Sequence, residues 1–332
     1  MLSAVDVKRA AVGSRFTLVG LAPAEPLDSG PLERWLGAGY AADMDWMARR
    51  IRERLDPGSV LPGARTVIAL AIAYHRPSDE AGPIARYARG RDYHYAHRDR
   101  MKFLRKRLLA LDPAVETYAA VDTGLAMEKV WAERAGLGWI GKNGCLINPR
   151  LGSWLTLSVM FMDRAVDRYD APHDQRCGDC ALCLDACPTG AFPEPGVVDA
   201  RRCIAYQSIE NRAAVPEPLR PGFAGRIFGC DVCQEVCPWN QRQRPEGDER
   251  FKPRPLSSLA PAEVAALAPA EFDRLSAGMA LARAQYDGLR RNALYAIGAE
   301  RQRDHRALLD RLANDASPEV RDAARWALER LD

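Results

Sequence analysis

Apolar residues in the first half of the chain fall into short continuous runs separated by charged, amphipathic stretches. Thr66 to Tyr74 (TVIALAIAY) and Ser153 to Met162 (SWLTLSVMFM) carry no charged side chain and read as buried strands. Between them, Tyr95 to Leu111 places apolar residues at helical spacing among many basic ones, and Asp112-Pro113 stops it. Val115 to Val121 predicts another strand, which delivers Asp122 at its end before Thr123-Gly124 turns the chain. Ala126 to Ala135 predicts the next helix, with Gly136 as its stop. Residues 1–165 therefore show the alternation of an α/β or α+β domain.

Toward the C-terminus the pattern repeats. Leu289-Arg290, Ala293 and Ala296-Ile297 match Val320-Arg321, Ala324 and Ala327-Leu328 at a shift of about 31 residues, within the range of helical solenoids. The small alanines let paired helices approach closely. Residues 256–332 resemble a HEAT-type helical domain of two repeats at most, too few to bury a core alone and so expected to dock on the rest. Pro245 to Pro255, charged and bounded by prolines, reads as a linker.

The chain has 332 residues, 47% hydrophobic and 27% charged, enough for two or three domains. No run of about 18 apolar residues predicts a membrane span, and Met1 to Ala10 lacks a signal peptide's features, so a cytoplasmic monomer is expected. The net charge is only +3, but between Asp45 and Ala110 there are 15 Lys/Arg against 7 Asp/Glu. Such an excess either attracts phosphates or forms solvated helix faces.

Eight of the nine cysteines crowd into residues 177–237, which points to metal ligation rather than disulfides. Cys177, Cys180, Cys183 and Cys187-Pro188 form the run C-x2-C-x2-C-x3-C-P; Cys230, Cys233 and Cys237-Pro238 repeat its last three positions, and Cys203 supplies the missing member. This is the spacing of two 4Fe-4S clusters in a ferredoxin-like module (residues 166–246), in which the fourth cysteine of each run reaches the other cluster. One cluster is expected on Cys177, Cys180, Cys183 and Cys237, the other on Cys187, Cys203, Cys230 and Cys233. A zinc site would leave half of the first run unexplained. Two adjacent clusters form an electron relay more often than a purely structural pair. Cys145 reads as a small buried apolar residue.

A relay needs a redox centre at its end. No G-x-G-x-x-G lies between a strand and a helix, so a dinucleotide site has no motif. Asp92 and His94 fit the start of the D-x-H-x-x-G cobalamin motif, but His97 stands where its glycine would be, and both histidines read as surface or helix-end residues.

The segment AVDTGLAMEKVWAERAGLGWIGKNGCLINPRLGSWL (Ala120 to Leu155) resembles the signature of the epoxyqueuosine reductases. MDWMARRIRERLDP from Met44, YARGRDYH from Tyr87, RRCIAYQSIEN from Arg201 and RIFGCDVCQEVCPWN from Arg226 are similar to that family in order and spacing. The resemblance covers about residues 10–240. It implies an α+β protein with an N-terminal cobalamin-binding domain (residues 1–165), a double-cluster module and a helical tail. It implies base-off cobalamin without a protein histidine on cobalt, reducing epoxyqueuosine to queuosine at the wobble position of tRNAs with GUN anticodons, with a low-potential electron donor. It assigns Asp122 as proton donor, whose pKa burial should raise, and Trp46, Tyr93, Asn148 and Glu210 as cobalamin contacts. Leu125 departs from the family, which usually has proline there.

An anticodon stem-loop would need phosphate contacts beside the pocket. Arg98, Lys102, Arg105 and Lys106 make one helical stripe, which Arg290-Arg291 or Arg321 could extend. The competing readings are a reductive dehalogenase-like corrinoid enzyme and a ferredoxin-type carrier without corrinoid.

Overall fold

The uncharged run at residue 66 is β2 (Thr66–Ala73), every residue of which is buried. Alternate side chains point to opposite faces of a strand, so Ile68, Leu70 and Ile72 enter one core while Val67, Ala69 and Ala71 enter those on the other face. That double burial is why the run carries no charge. β2 pairs antiparallel with β1 (Leu18–Pro23) and with β6 (Leu155–Met162), and β3 (Thr117–Ala120) pairs with the far side of β6. These contacts come from a computed structural model that describes residues 1–76, 82–241 and 247–331.

Strand and helix do alternate through residues 1–165, but among the described residues the named strands all pair antiparallel, so this part is α+β, not a parallel α/β layer. Hydrophobic periodicity reports burial and is silent on the direction of a neighbouring strand. β1, too short to stand out, and α1 (Ala4–Gly13) were not anticipated. α2 (Tyr93–Leu111) begins two residues before the predicted start because Asp92 caps it, its Oδ1 accepting from the His94 N–H at 2.9 Å. α1 and α2 share the core on the Ile68 face, and α3 (Glu128–Arg134) places Trp131 on the opposite face.

His97 is a correction to the surface reading. It is fully buried, with Nδ1 2.7 Å from Ser158 Oγ and Nε2 2.9 Å from Thr156 Oγ1 on β6. Burial, with Arg100 and His94 nearby, depresses its pKa to about 3, so the neutral ring pins α2 to the sheet.

The short ribbon of β4 (Trp139–Ile140) and β5 (Leu146–Ile147) leads to the cysteine module. Trp139 meets Trp239 edge-on at 4.9 Å, and the Asn143 amide donates to Cys233 O at 3.2 Å. α4 (Ile204–Ile209) follows Cys203. The repeated tail segments are α5 (Tyr286–Ala299) and α6 (Pro318–Leu331), and Ala293, Ala296, Ala324 and Ala327 are fully buried. A Cβ at Gly298 would lie 2.7 Å from Ala327 Cα, so the helices are in backbone contact there. The tail does not fold on a private core: Ile204, Phe223, Ile227 and Phe228 of the cysteine module share one cluster with Leu289, Ala293 and Tyr295.

Two further expectations change. Pro245 of the proposed linker lies outside the described residues, but residues 248–251 dock firmly: Asp248 pairs with Arg100, and Phe251 is 2% exposed against Tyr74. Arg290 and Arg291 do not extend a basic surface. Arg290 is buried and ion-paired to Asp315 at 2.6 Å; Arg291 is 1% exposed and donates to the carbonyls of Asn211, Ala213 and Gln207. Arg321 likewise donates to the carbonyls of Asp315 and Ala316. Among the described residues no helix is long and apolar enough to cross a membrane.

Arg291 therefore fastens the tail to the cysteine module. Arg291→Met would leave three carbonyls without that donor, a loss of about 3 kcal/mol or more. We expect the thermal midpoint to fall by roughly 5 °C or more; an unchanged midpoint would show that the tail is held without it.

Candidate active site

Asp122 follows the edge strand β3 and has φ +51°, a left-handed conformation that aspartate tolerates better than most residues. The turn directs its carboxylate back toward the start of α2. Asp122 Oδ2 lies 3.4 Å from His94 Nε2, within ion-pair range but without hydrogen-bond geometry, and the side chain remains 60% exposed. His94 Nδ1 lies 2.7 Å from Asp92 Oδ1, so the imidazole stands between two carboxylates. Its ring stacks on Tyr93 at 4.3 Å, and the Tyr93 side chain acts on the Asp122 carboxyl. The loop is held from behind by the Leu125 N–H, which donates to Tyr118 Oη at 3.3 Å. Proline at position 125 could not make that bond.

The electrostatics differ from the expectation for Asp122. Burial works to raise its pKa, but the neighbouring His94 ring and Tyr93 side chain outweigh it and hold the carboxyl below its ordinary value. For His94, burial works to lower the pKa, and Asp122 and Asp92 together raise it to about 9. At neutral pH the proton of this pair therefore sits on His94. In the sequence His94 is marked only by its spacing from Asp92 at a helix start; its approach to Asp122 is set by the fold. Burial also pushes Glu128, at the start of α3, up to about 7.

Three of the four predicted contact residues lie around this group. Trp46, in a 3-10 turn (Asp45–Met47), leaves its indole 39% exposed. Tyr93 is within the group itself. Glu210 caps α4 and is gripped by Arg283, whose Nε and Nη2 donate to its two oxygens at 2.7–3.1 Å. Asn148 is spent elsewhere: its amide donates to Leu137 O at 2.6 Å, and its oxygen accepts from the N–H groups of Arg150 and Leu151, which builds the turn after β5.

The eight cysteines divide by neighbourhood. Cys183 is raised to about 11 by burial first and then by the sulfurs of Cys177, Cys237 and Cys180. Cys203, by contrast, feels Cys187, and Cys233 feels Cys230 and Cys203. The last cysteine of each run thus sits with the other run's group. Among the described residues no three of these side chains close on one point as a mononuclear site would require. Cys180 is exposed and Cys237 buried. Cys145, expected to be a small buried apolar residue, is half-buried. Half-buried Tyr87 links the two halves, since it packs against both cores and the charges of Asp122 and of Asp231, between Cys230 and Cys233, both act on its hydroxyl.

Comparison with known proteins agrees with this geometry. A family profile described as a 4Fe-4S double cluster binding domain matches residues 176–240, and one described as Epoxyqueuosine reductase QueG, DUF1730, matches residues 54–123. The chain is 44% identical over 310 residues to an epoxyqueuosine reductase of Gloeobacter violaceus, covering 90% of this chain and 96% of that protein. It is 40% identical over 313 residues to one of Pseudomonas aeruginosa, covering 90% and 86%. The fold matches a crystal structure of epoxyqueuosine reductase with an epoxyqueuosine-modified tRNA-Tyr stem loop, with a TM-score of 0.91 at 28% identity over 98% of this chain and 89% of that one. A Bacillus subtilis epoxyqueuosine reductase with its catalytic loop swung out of the active site gives a TM-score of 0.90 at 27% identity over 98% and 90%.

The raised pKa of His94 means that its imidazolium stabilises the folded state fully below the ordinary value of 6.5, a contribution lost as pH rises through about 9. NMR titration of the ring should give a midpoint near 9, moving toward 6.5 in Asp122→Asn. A midpoint near 6.5 in both proteins would remove the ion pair from the account.

Proposed function

We propose that this chain, which belongs to the epoxyqueuosine reductase family, reduces epoxyqueuosine to queuosine at the wobble position of tRNAs with GUN anticodons, drawing electrons through two 4Fe-4S clusters. The observation that carries the reading is the convergence of Asp122, His94 and Tyr93 with Trp46 and Glu210, next to a sulfur cage sorted into two sets. The reaction takes two electrons and two protons; the epoxide oxygen leaves as water and a double bond remains.

Crossed ligation follows from the neighbourhoods: Cys177, Cys180, Cys183 and Cys237 hold one cluster, Cys187, Cys203, Cys230 and Cys233 the other. The second redox group is cobalamin. An exposed indole at Trp46 and the open carboxylate of Asp122 fit a large planar ligand, and both nitrogens of His94 and of His97 face protein partners, as a base-off group without a histidine ligand requires. Cobalamin, when bound, supplies a low-potential metal centre for the epoxide carbon. Trp46, Tyr93 and Glu210 would hold it, while Asn148 shapes the turn.

The chain's own share is proton supply. Asp122 is ionised at rest, so the first proton comes from His94: Nε2 gives it to Oδ2, and Oδ2 gives it to the departing oxygen; the second reaches the same carboxylate from the solvent to which it is open. Asp92 keeps the ring oriented through Nδ1. Tyr93 holds the carboxylate in line.

The tRNA lies along α2. Arg98, Lys102, Arg105 and Lys106 are exposed on the helix whose first turn carries Tyr93 and His94, so phosphate contacts and chemistry share one rigid element. Reversing three of these charges should weaken tRNA binding and flatten the log–log salt dependence by about two units; unchanged affinity and slope would leave the stripe a solvated face.

The decisive assay incubates epoxyqueuosine-containing tRNA with reconstituted protein, cobalamin and a low-potential reductant, then weighs the wobble nucleoside. We expect queuosine from the wild type and at least about 100-fold slower turnover from Asp122→Asn with clusters intact. Persistent epoxyqueuosine with the wild type would reject the substrate, and full activity in the variant would reject the acid.

A further inference from the structure

Arg283 lies in a 3-10 turn of the helical tail (Ala280–Ala284), yet all its named partners belong to other parts of the chain. Its guanidinium takes both oxygens of Glu210, at the end of α4, at 2.7–3.1 Å. It also stands over the Trp46 ring, 5.6 Å from the centroid. Its positive charge acts on Asp122 and on Tyr93. One planar cation therefore touches the N-terminal part and the cysteine module, and its field reaches the acid.

The turn is built to hold that cation still. Arg212 Nη2 donates to Arg283 O at 2.8 Å while its Nη1 donates to Ile209 O at 2.9 Å, tying the turn to the end of α4. Gln285, two residues on, has φ +64° and ψ 169°, a conformation that non-glycine residues occupy only where the surroundings impose it. The Arg283 side chain is 55% exposed, and an ion pair so open to water adds little to folding stability. Its geometry is better suited to fixing an indole and a carboxylate at the rim of a cleft.

We propose that Arg283 is a positioning residue by which the helical tail completes the cofactor cleft, setting Glu210 and Trp46 in the arrangement that a corrin meets. The inference rests on the cobalamin reading above. It predicts that the tail acts at the reaction centre as well as on the fold. Arginine is specific in this role: its fork engages two carboxylate oxygens while its face covers a ring, which an ammonium cannot do together.

The test titrates hydroxocobalamin into anaerobically reconstituted protein, following absorbance, with iron content and thermal midpoint as controls. Arg283→Ala should bind about tenfold more weakly or worse while keeping iron and midpoint. Arg283→Lys should recover only part of the loss. Glu210→Gln combined with Arg283→Ala should bind no more weakly than the worse single variant, because the two act as a unit. Wild-type affinity in Arg283→Ala, or fully additive losses, would overturn the proposal. If Arg283→Ala loses its iron or melts early, the lysine variant decides: full affinity there contradicts the role, partial affinity supports it. A wild type that retains no cobalamin would instead reject the cofactor reading beneath it.

Discussion

The charge on Asp122 is the point to which the rest of the structure answers. A carboxylate 60% exposed at a strand end would ordinarily be a solvated surface group. Here it faces His94, Tyr93 and the field of Arg283, drawn from remote parts of the chain. The left-handed turn at Asp122 faces the first turn of α2, which Asp92 caps and His97 pins to β6. A buried neutral histidine one turn below a half-buried cationic one divides the labour within a single helix: His97 supplies rigidity and, in the proposed relay, His94 the proton.

That arrangement inverts the simplest picture of a catalytic acid. A carboxyl kept protonated by burial would need an apolar pocket. In the proposed relay Asp122 instead shares a proton with a histidine that a second aspartate orients, so the acid is charged at rest and replenished from behind. The same economy of partners governs the assembly. The tail shares its core with the cysteine module, and buried Arg291 closes the joint by capping three backbone carbonyls. Electron carriers and proton carriers can then be held in fixed register across segments far apart in sequence.

Much of this was legible in the residue pattern. β2 and β6 announced themselves through uncharged runs because both faces of the sheet are covered, and the cysteine spacing disclosed a double-cluster module because short loops restrict which thiolates meet. Other features left no one-dimensional trace. Strand direction does not alter hydrophobic period, so the antiparallel sheet was not foreseen. Arg290 and Arg291 look like surface charges until Asp315 and three carbonyls close around them. His94 was dismissed because its partner in sequence, Asp92, and its partner in space, Asp122, are 30 residues apart. Asn148 lies in a matching stretch, but its polar atoms are spent on its own turn.

The central claim is that electrons stored in the two sulfur sets are consumed, with protons from the Asp122 group, in one cleft. Two clusters that store one electron each hold the two electrons that one epoxide needs. The most direct measurement reduces the cobalamin-loaded protein, removes the reductant, adds excess epoxyqueuosine tRNA and follows both the reduced-cluster paramagnetic signal and the wobble nucleoside. The account predicts a burst of about one queuosine per chain, rising at the rate at which the cluster signal disappears. Queuosine formed while both clusters stay reduced, or clusters oxidised with no queuosine made, would contradict it.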